Sequence, residues 1–196
     1  MSGISRSRWG RASWLCLAAA CGGRAAAGAA AAGPTAVRVV PLPSAVVLET
    51  SGPAPSDTSV TFTTGRPRVI ILRHGPPDNV VFAELGFPAD AFHADSGLDV
   101  RVTVRPRRGE YGLDLTTSLP LATSATITFK YARFFHEPAA ARARWATDAA
   151  YEQALAVGHV LPEGPRLALL PSSRPAADNL RAVLAGPGTY LVAAAP

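Results

Sequence analysis

A mainly β chain, folded as an antiparallel β-sandwich of immunoglobulin-like architecture with one helical insert, is predicted by three features of the 196 residues. Apolar and polar side chains alternate along several short, β-branched runs, as strands with one buried face require. Gly/Pro turns separate these runs at near-regular spacing, the pattern of a sandwich rather than of alternating strands and helices. A single stretch, Pro138 to Leu155, is alanine-rich, lacks Gly and internal Pro, and has the length and starting proline of a helix.

The chain opens with an export signal over residues 1–21. Arg6, Arg8 and Arg11 form its positive flank, and the apolar run from Ala12 to Ala20 is too short to span a bilayer permanently. Ala18, Ala19 and Ala20 before Cys21, with Gly22 and Gly23 after it, resemble the bacterial lipoprotein signal, in which the cysteine becomes the lipidated first residue. The leucine usual three places before that cysteine is here Leu17, four before. Ordinary cleavage within Ala25 to Ala32 is the alternative. On either route the mature protein works in the periplasm or at the cell surface, held to the membrane by lipid if Cys21 is modified.

Residues 22–58, rich in Ala, Gly, Pro and Ser, are predicted to be a flexible tether. Such a stretch buries too little apolar surface to offset about 1–2 kcal/mol per residue of backbone ordering. Within it Val37 to Val40 and Val46 to Leu48 read as a first strand or a docked lead-in. Residues 59–196 are predicted to form one domain with a single core.

In that domain strands are predicted at Val60 to Thr64, Val69 to Leu72, Val80 to Leu85, Leu98 to Val104, Glu110 to Leu115 and Ala125 to Tyr131. The fourth sets Leu98, Val100, Val102 and Val104 on one face. In the sixth, Ile127, Phe129 and Tyr131 oppose Thr126, Thr128 and Lys130. Beyond the helix follow strands at Ala156 to Leu161, Arg166 to Leu170, Leu180 to Leu184 and Thr189 to Ala194. Trp145 and Tyr151, six apart on one helix, would lie on different faces.

Of the 19 basic residues only Lys130 is a lysine, and the formal charge of +5 falls by three to +2 once Arg6, Arg8 and Arg11 leave with the signal. That balance, without basic runs interleaved with aromatics, points away from nucleic acid. Cys16 and Cys21 are the only cysteines, so the mature fold has no disulfide or thiolate metal site to rely on.

Phe87-Pro88-Ala89-Asp90-Ala91-Phe92, the strand Asp99 to Val104, and Tyr111-Gly112-Leu113-Asp114-Leu115 leading through Pro120 to Ala125-Thr126-Ile127-Thr128-Phe129 together resemble the β-sandwich domain shared by ankyrins, netrin receptors and zona-occludens proteins. Gly188-Thr189-Tyr190-Leu191-Val192 is similar to the Gly-x-Tyr terminal strand of bacterial versions on exported proteins. The resemblance covers residues 80–196 and implies a non-enzymatic interaction or structural module; a protein, cell-wall or matrix partner and no cofactor are the expectation for the chain as a whole.

One motif argues for chemistry. Val69-Ile70-Ile71-Leu72 delivers Arg73-His74-Gly75, much as a histidine phosphatase places a nucleophilic imidazole beside a guanidinium that neutralises phosphoryl oxygens. Arg142 or Arg144, His159 and Glu152 are candidates for the remaining roles. An exported phosphohydrolase built on His74 and Arg73 is thus the alternative to a binding module. Pro76 and Pro77 follow where that family carries Glu or Thr, and the surrounding pattern is strand-rich.

Other chemistry is weaker still. His93 with Asp95 and His136 with Glu137 lack the i, i+4 spacing of a zinc helix. Asp78, Asp90, Asp95 and Asp99 form no Asp-x-Asp-x-Asp calcium loop, and Ser118, Ser172 and Ser173 lack a Gly-x-Ser-x-Gly elbow. The sequence thus predicts an exported binding or structural sandwich of the bacterial cell envelope. The anchor has its own test: Cys21→Ala should release the protein from the membrane fraction and abolish fatty-acid labelling, whereas unchanged fractionation removes lipidation from the reading.

Overall fold

The computed structural model describes residues 36–122, 124–133 and 135–196. The expected export signal, Cys21 and residues 22–35 of the expected tether lie outside the described residues. In chain order the elements are β1 (Arg38–Pro41), β2 (Val46–Val47), β3 (Glu49–Thr50), β4 (Thr58–Thr63), β5 (Arg68–Arg73), β6 (Val81–Phe87), β7 (Asp99–Pro106), β8 (Gly112–Thr117), β9 (Thr126–Lys130), β10 (Phe135–His136), α1 (Ala139–Arg142), α2 (Asp148–Ala154), β11 (Leu155–Val160), β12 (Arg166–Leu169), β13 (Asn179–Val183) and β14 (Gly188–Ala194).

The larger sheet runs β1-β12-β11-β14-β8-β7-β4, with β2 also paired to β14, and the smaller runs β13-β9-β6-β5. β3 and β10 make a two-stranded ribbon, and every strand pair is antiparallel. The inward faces of both sheets meet in one apolar core. Val100, Val102, Val104, Leu113, Leu115 and Val192 come from the larger sheet, and Ile70, Leu72, Leu85, Ile127, Phe129 and Leu180 from the smaller. Alternation puts them there: in β7 the valines are buried while Asp99 and Arg101 are exposed, as the sequence pattern requires. The sandwich with a small helical part is therefore the fold.

A β-bulge modifies the pairing at one corner. Leu72 pairs with Ala83 but Arg73 pairs with Val81, which leaves Phe82 as the extra residue. Its ring turns into the core, stacked on Tyr111 at 5.2 Å and edge-on to Phe129 at 5.8 Å. At the turn after β4, Thr64 Oγ1 donates to the Asp95 carbonyl at 2.6 Å and accepts from the Leu98 N–H at 3.1 Å. Gly65 beside it has φ +83°, and a Cβ there would strike the Ser96 hydroxyl, so only glycine fits.

All four tyrosines of the chain are buried, and each hydroxyl donates to a main-chain carbonyl. Tyr111 bonds the Arg133 carbonyl, Tyr131 that of Ala177 at 3.2 Å, and Tyr151 that of Val46 at a long 3.4 Å. Tyr190 Oη donates to the Gly186 carbonyl at 2.6 Å and accepts from the N–H groups of Ala185 and Gly186 at 2.9 and 3.2 Å. This last arrangement, a hydroxyl bonded back a few residues upstream at a strand start, is a tyrosine corner.

Four expectations need correction. Part of the stretch assigned to a tether over 22–58 is structural: β1, β2 and β3 pair with β12, β14 and β10, and Val40, Val46 and Leu48 are buried. The two valine patches supply the apolar surface that the average composition of the stretch conceals, so the fold begins ahead of residue 59. The single helix over Pro138 to Leu155 is two short ones. Thr147 breaks it, its Oγ1 accepting from the Ala150 N–H as the N-cap of α2, with Asp148 in the first turn. The break brings Trp145 and Tyr151 together, ring centroids 5.1 Å apart, instead of on different faces. Leu98, expected to share the buried face of β7, precedes that strand and is exposed.

Burial pushes the Tyr190 hydroxyl up to about 12, despite the main-chain N–H groups of Ala185 and Gly186, which favour its anion, and burial likewise raises Tyr111 and Tyr151. An unfolded tyrosine titrates near 10. The fold thus favours the neutral hydroxyl, and its contribution is complete below about pH 10 and lost as pH rises through about 12. The urea midpoint should hold up to about pH 10 and then fall steadily, as read by denaturation at stepped alkaline pH.

Candidate functional site

β5 is an edge strand whose outward face is apolar. Ile70 and Leu72 point into the core, while Val69 and Ile71 stand 57% and 47% exposed. β6 pairs with it on one side, and among the described residues no strand pairs with the other. Register continues that outward face across the smaller sheet. Val69, Gly86, Thr126 and Val183 form one row, and Ile71, Glu84, Thr128 and Arg181 the next. The charges inside the face are partnered: Lys130 pairs with Glu84 at 2.6 Å, and Arg181 donates to Thr126 Oγ1 at 3.4 Å.

An open edge exposes a row of unpaired N–H and C=O groups to any strand that can dock there, and proteins usually protect such edges. Of the other three edges of the two sheets, one is covered, one is open but polar and one is short. β13 carries Ser173, whose main chain exchanges hydrogen bonds of 2.8 and 2.9 Å with Arg181. β4 presents the polar Ser59, Thr61 and Thr63, and β1 is four residues long and ends in Pro41. β5 is six residues long, without proline and with two exposed β-branched side chains. This makes it the chain's candidate for recognition by strand addition.

The residues of the phosphatase alternative are held differently from what that chemistry needs. His74 is 1% exposed, with Nδ1 2.8 Å from the Pro53 carbonyl and its ring edge-on to Phe82 at 5.4 Å and to Tyr111 at 6.4 Å. Arg73 is exposed and donates to the Asn79 carbonyl at 3.0 Å. The imidazole lies in the core and the guanidinium at the surface, so one phosphoryl group cannot meet both. His159 stacks on Tyr190 at 4.7 Å with Nε2 3.2 Å from the Pro187 carbonyl. Arg144 donates to the Ser44 carbonyl, Arg142 lies in the last turn of α1, and the Glu152 carbonyl in α2 accepts from Arg174.

The remaining candidates are scattered. His93 and His136 are exposed, and among the described residues no three His, Cys, Asp or Glu side chains gather as a metal site. Asp78 pairs with Arg133 at 3.0 Å, and Asp90, Asp95 and Asp99 are exposed. Ser118 Oγ accepts from the Arg101 N–H, Ser172 Oγ bridges the Val157 N–H and the Leu170 carbonyl, and Ser173 pairs through its main chain with Arg181. Sequence reasoning passed over Val69 and Ile71 as sites, because a continuous apolar run does not reveal which of its faces is covered. The signal available was arginine at both ends of so short a run, a usual mark of an edge.

Removing the buried ring at His74→Ala leaves a cavity and an unmet carbonyl, and should cost about 2–4 kcal/mol of unfolding free energy. Arg73→Ala at the surface should stay within about 0.5 kcal/mol of the parent. Urea denaturation of the two variants checks this, and equal effects would contradict the placement of the two side chains. No protein-family model matches the chain, and no curated protein or solved structure matches it either.

Proposed function

We propose that this chain is an exported, non-enzymatic binding module of the bacterial cell envelope that holds a protein partner along the β5 edge. The observation that carries the reading is that edge itself, unpaired among the described residues, six residues long and apolar on its outward face, where the other edges of the two sheets are covered, polar or short. Export is supported by the basic flank, short apolar run and small residues before Cys21 in the sequence, with a lipid anchor if that cysteine is modified. The likeness of residues 80–196 to the sandwich of ankyrins, netrin receptors and zona-occludens proteins favours the same class of work. The phosphohydrolase alternative is weakened by the burial of His74 and by its separation from the surface guanidinium of Arg73.

Two measurements test the reading together. Hydrolysis of a generic phosphate ester should be the same for the parent chain and for Arg73→Ala, which leaves the fold intact; an Arg73-dependent rate would overturn the non-enzymatic reading. A photo-crosslinking side chain at Ile71 should give a discrete protein adduct in the producing cell's envelope, and one at Ser59 on the β4 edge should give none. Equal labelling from both edges would remove β5 as the site.

A further inference from the structure

Resting on the binding-module reading, the charges around β5 specify the partner's chemistry. Arg66 and Arg68 lie at one end of the strand and Arg73 at the other, all exposed. Among the described residues none of the three is in an ion pair, and neither is Arg181 within the sheet face, whereas Lys130 pairs with Glu84 and Arg133 with Asp78. Three unneutralised guanidinium groups thus bracket about 20 Å of open strand edge. Main-chain hydrogen bonding supplies affinity in strand addition without regard to sequence, and the side chains beside and beyond the strand set specificity.

We infer that β5 takes an extended peptide segment of a protein partner, with apolar side chains at alternate positions beside Val69 and Ile71 and carboxylates beyond both ends to meet Arg66, Arg68 and Arg73. Two other occupants fit poorly. A second copy pairing β5 with β5 antiparallel sets the arginines at the ends of one strand against those of the other, a like-charge contact. The chain's own leading segment has no acid to offer: the first carboxylate in the sequence is Glu49, and the residues before it carry Arg6, Arg8, Arg11, Arg24 and Arg38. β5 itself combines exposed apolar side chains with flanking positive charge, which blocks self-association and leaves an acidic, apolar strand as the complement.

The test uses the full chain and two fluorescein-labelled peptides. Each has three valines at alternate positions with threonines between; one ends in two aspartates on each side, and its twin in two lysines. Fluorescence anisotropy should show the acidic peptide binding at least about tenfold more tightly than its twin, with the preference shrinking as salt screens the charges. Arg66→Glu with Arg68→Glu should reverse that preference, and Ile71→Lys should weaken both peptides; far-ultraviolet circular dichroism confirms that these surface variants stay folded. Equal binding of the two peptides, lost in Ile71→Lys, would overturn the acidic-partner inference and leave the β5 binding edge standing. Binding of neither peptide, or binding indifferent to Ile71→Lys, would overturn both. Concentration-dependent dimerisation abolished by Ile71→Lys would instead make a second copy the occupant.

Discussion

The buried tyrosine hydroxyls are the interaction on which the rest of the structure depends. With no cysteine among its described residues the sandwich is held by core packing, and packing alone does not fix where its loops lie. Each of the four tyrosines contributes a large apolar ring to the core and a polar tip that must find a partner once out of water. In every case the tip reaches a carbonyl in a connecting segment or an adjoining strand: Arg133, Ala177, Val46 and Gly186. Ring burial and loop position are thereby coupled, since withdrawing a loop strands a polar atom in the core.

Arg174 extends this logic to the helical insert. Its guanidinium donates to the Tyr131 hydroxyl at 2.7 Å and to the carbonyls of Glu152 and Leu155 where α2 ends. A cation at the last turn of a helix meets carbonyls that have no partner within the helix. Helices of four and seven residues are too short to persist alone, and these are held by Ala141 and Tyr151 in the core and by this arginine at the end. The same contact lets the chain pass from α2 straight into β11 without a loop.

β5 follows from the same two-layer arrangement. Four strands in the smaller sheet face seven in the ordered path of the larger, so the smaller sheet has two edges, and the Ser173 segment covers only the one at β13. The bulge at Phe82 adds an aromatic ring to the core beneath the end of β5, and His74 is packed against that ring. Residues that look like catalytic neighbours in the sequence are thus divided by the strand: His74 supports the core and Arg73 stands at the exposed surface.

Sequence periodicity was enough to locate the ten strands from β4 onward that form the sandwich, because alternation is imposed by burial of one face and turns by Gly and Pro, and both are local. It also placed Val100, Val102 and Val104, and Ile127, Phe129 and Tyr131, on their buried faces. It marked the apolar patches of residues 37–40 and 46–48 as a first strand or docked lead-in but did not reveal their partners, since β12 and β14, which pair with them, are distant in the chain. Nor could it divide the helix at Thr147, where Trp145 packs back on Tyr151. Order and local burial were determined by the sequence alone, being set by neighbours within a few residues. Which strand stands at the edge, which arginines join ion pairs and whether an imidazole meets water were decided only by the tertiary structure, because each depends on how the elements pack.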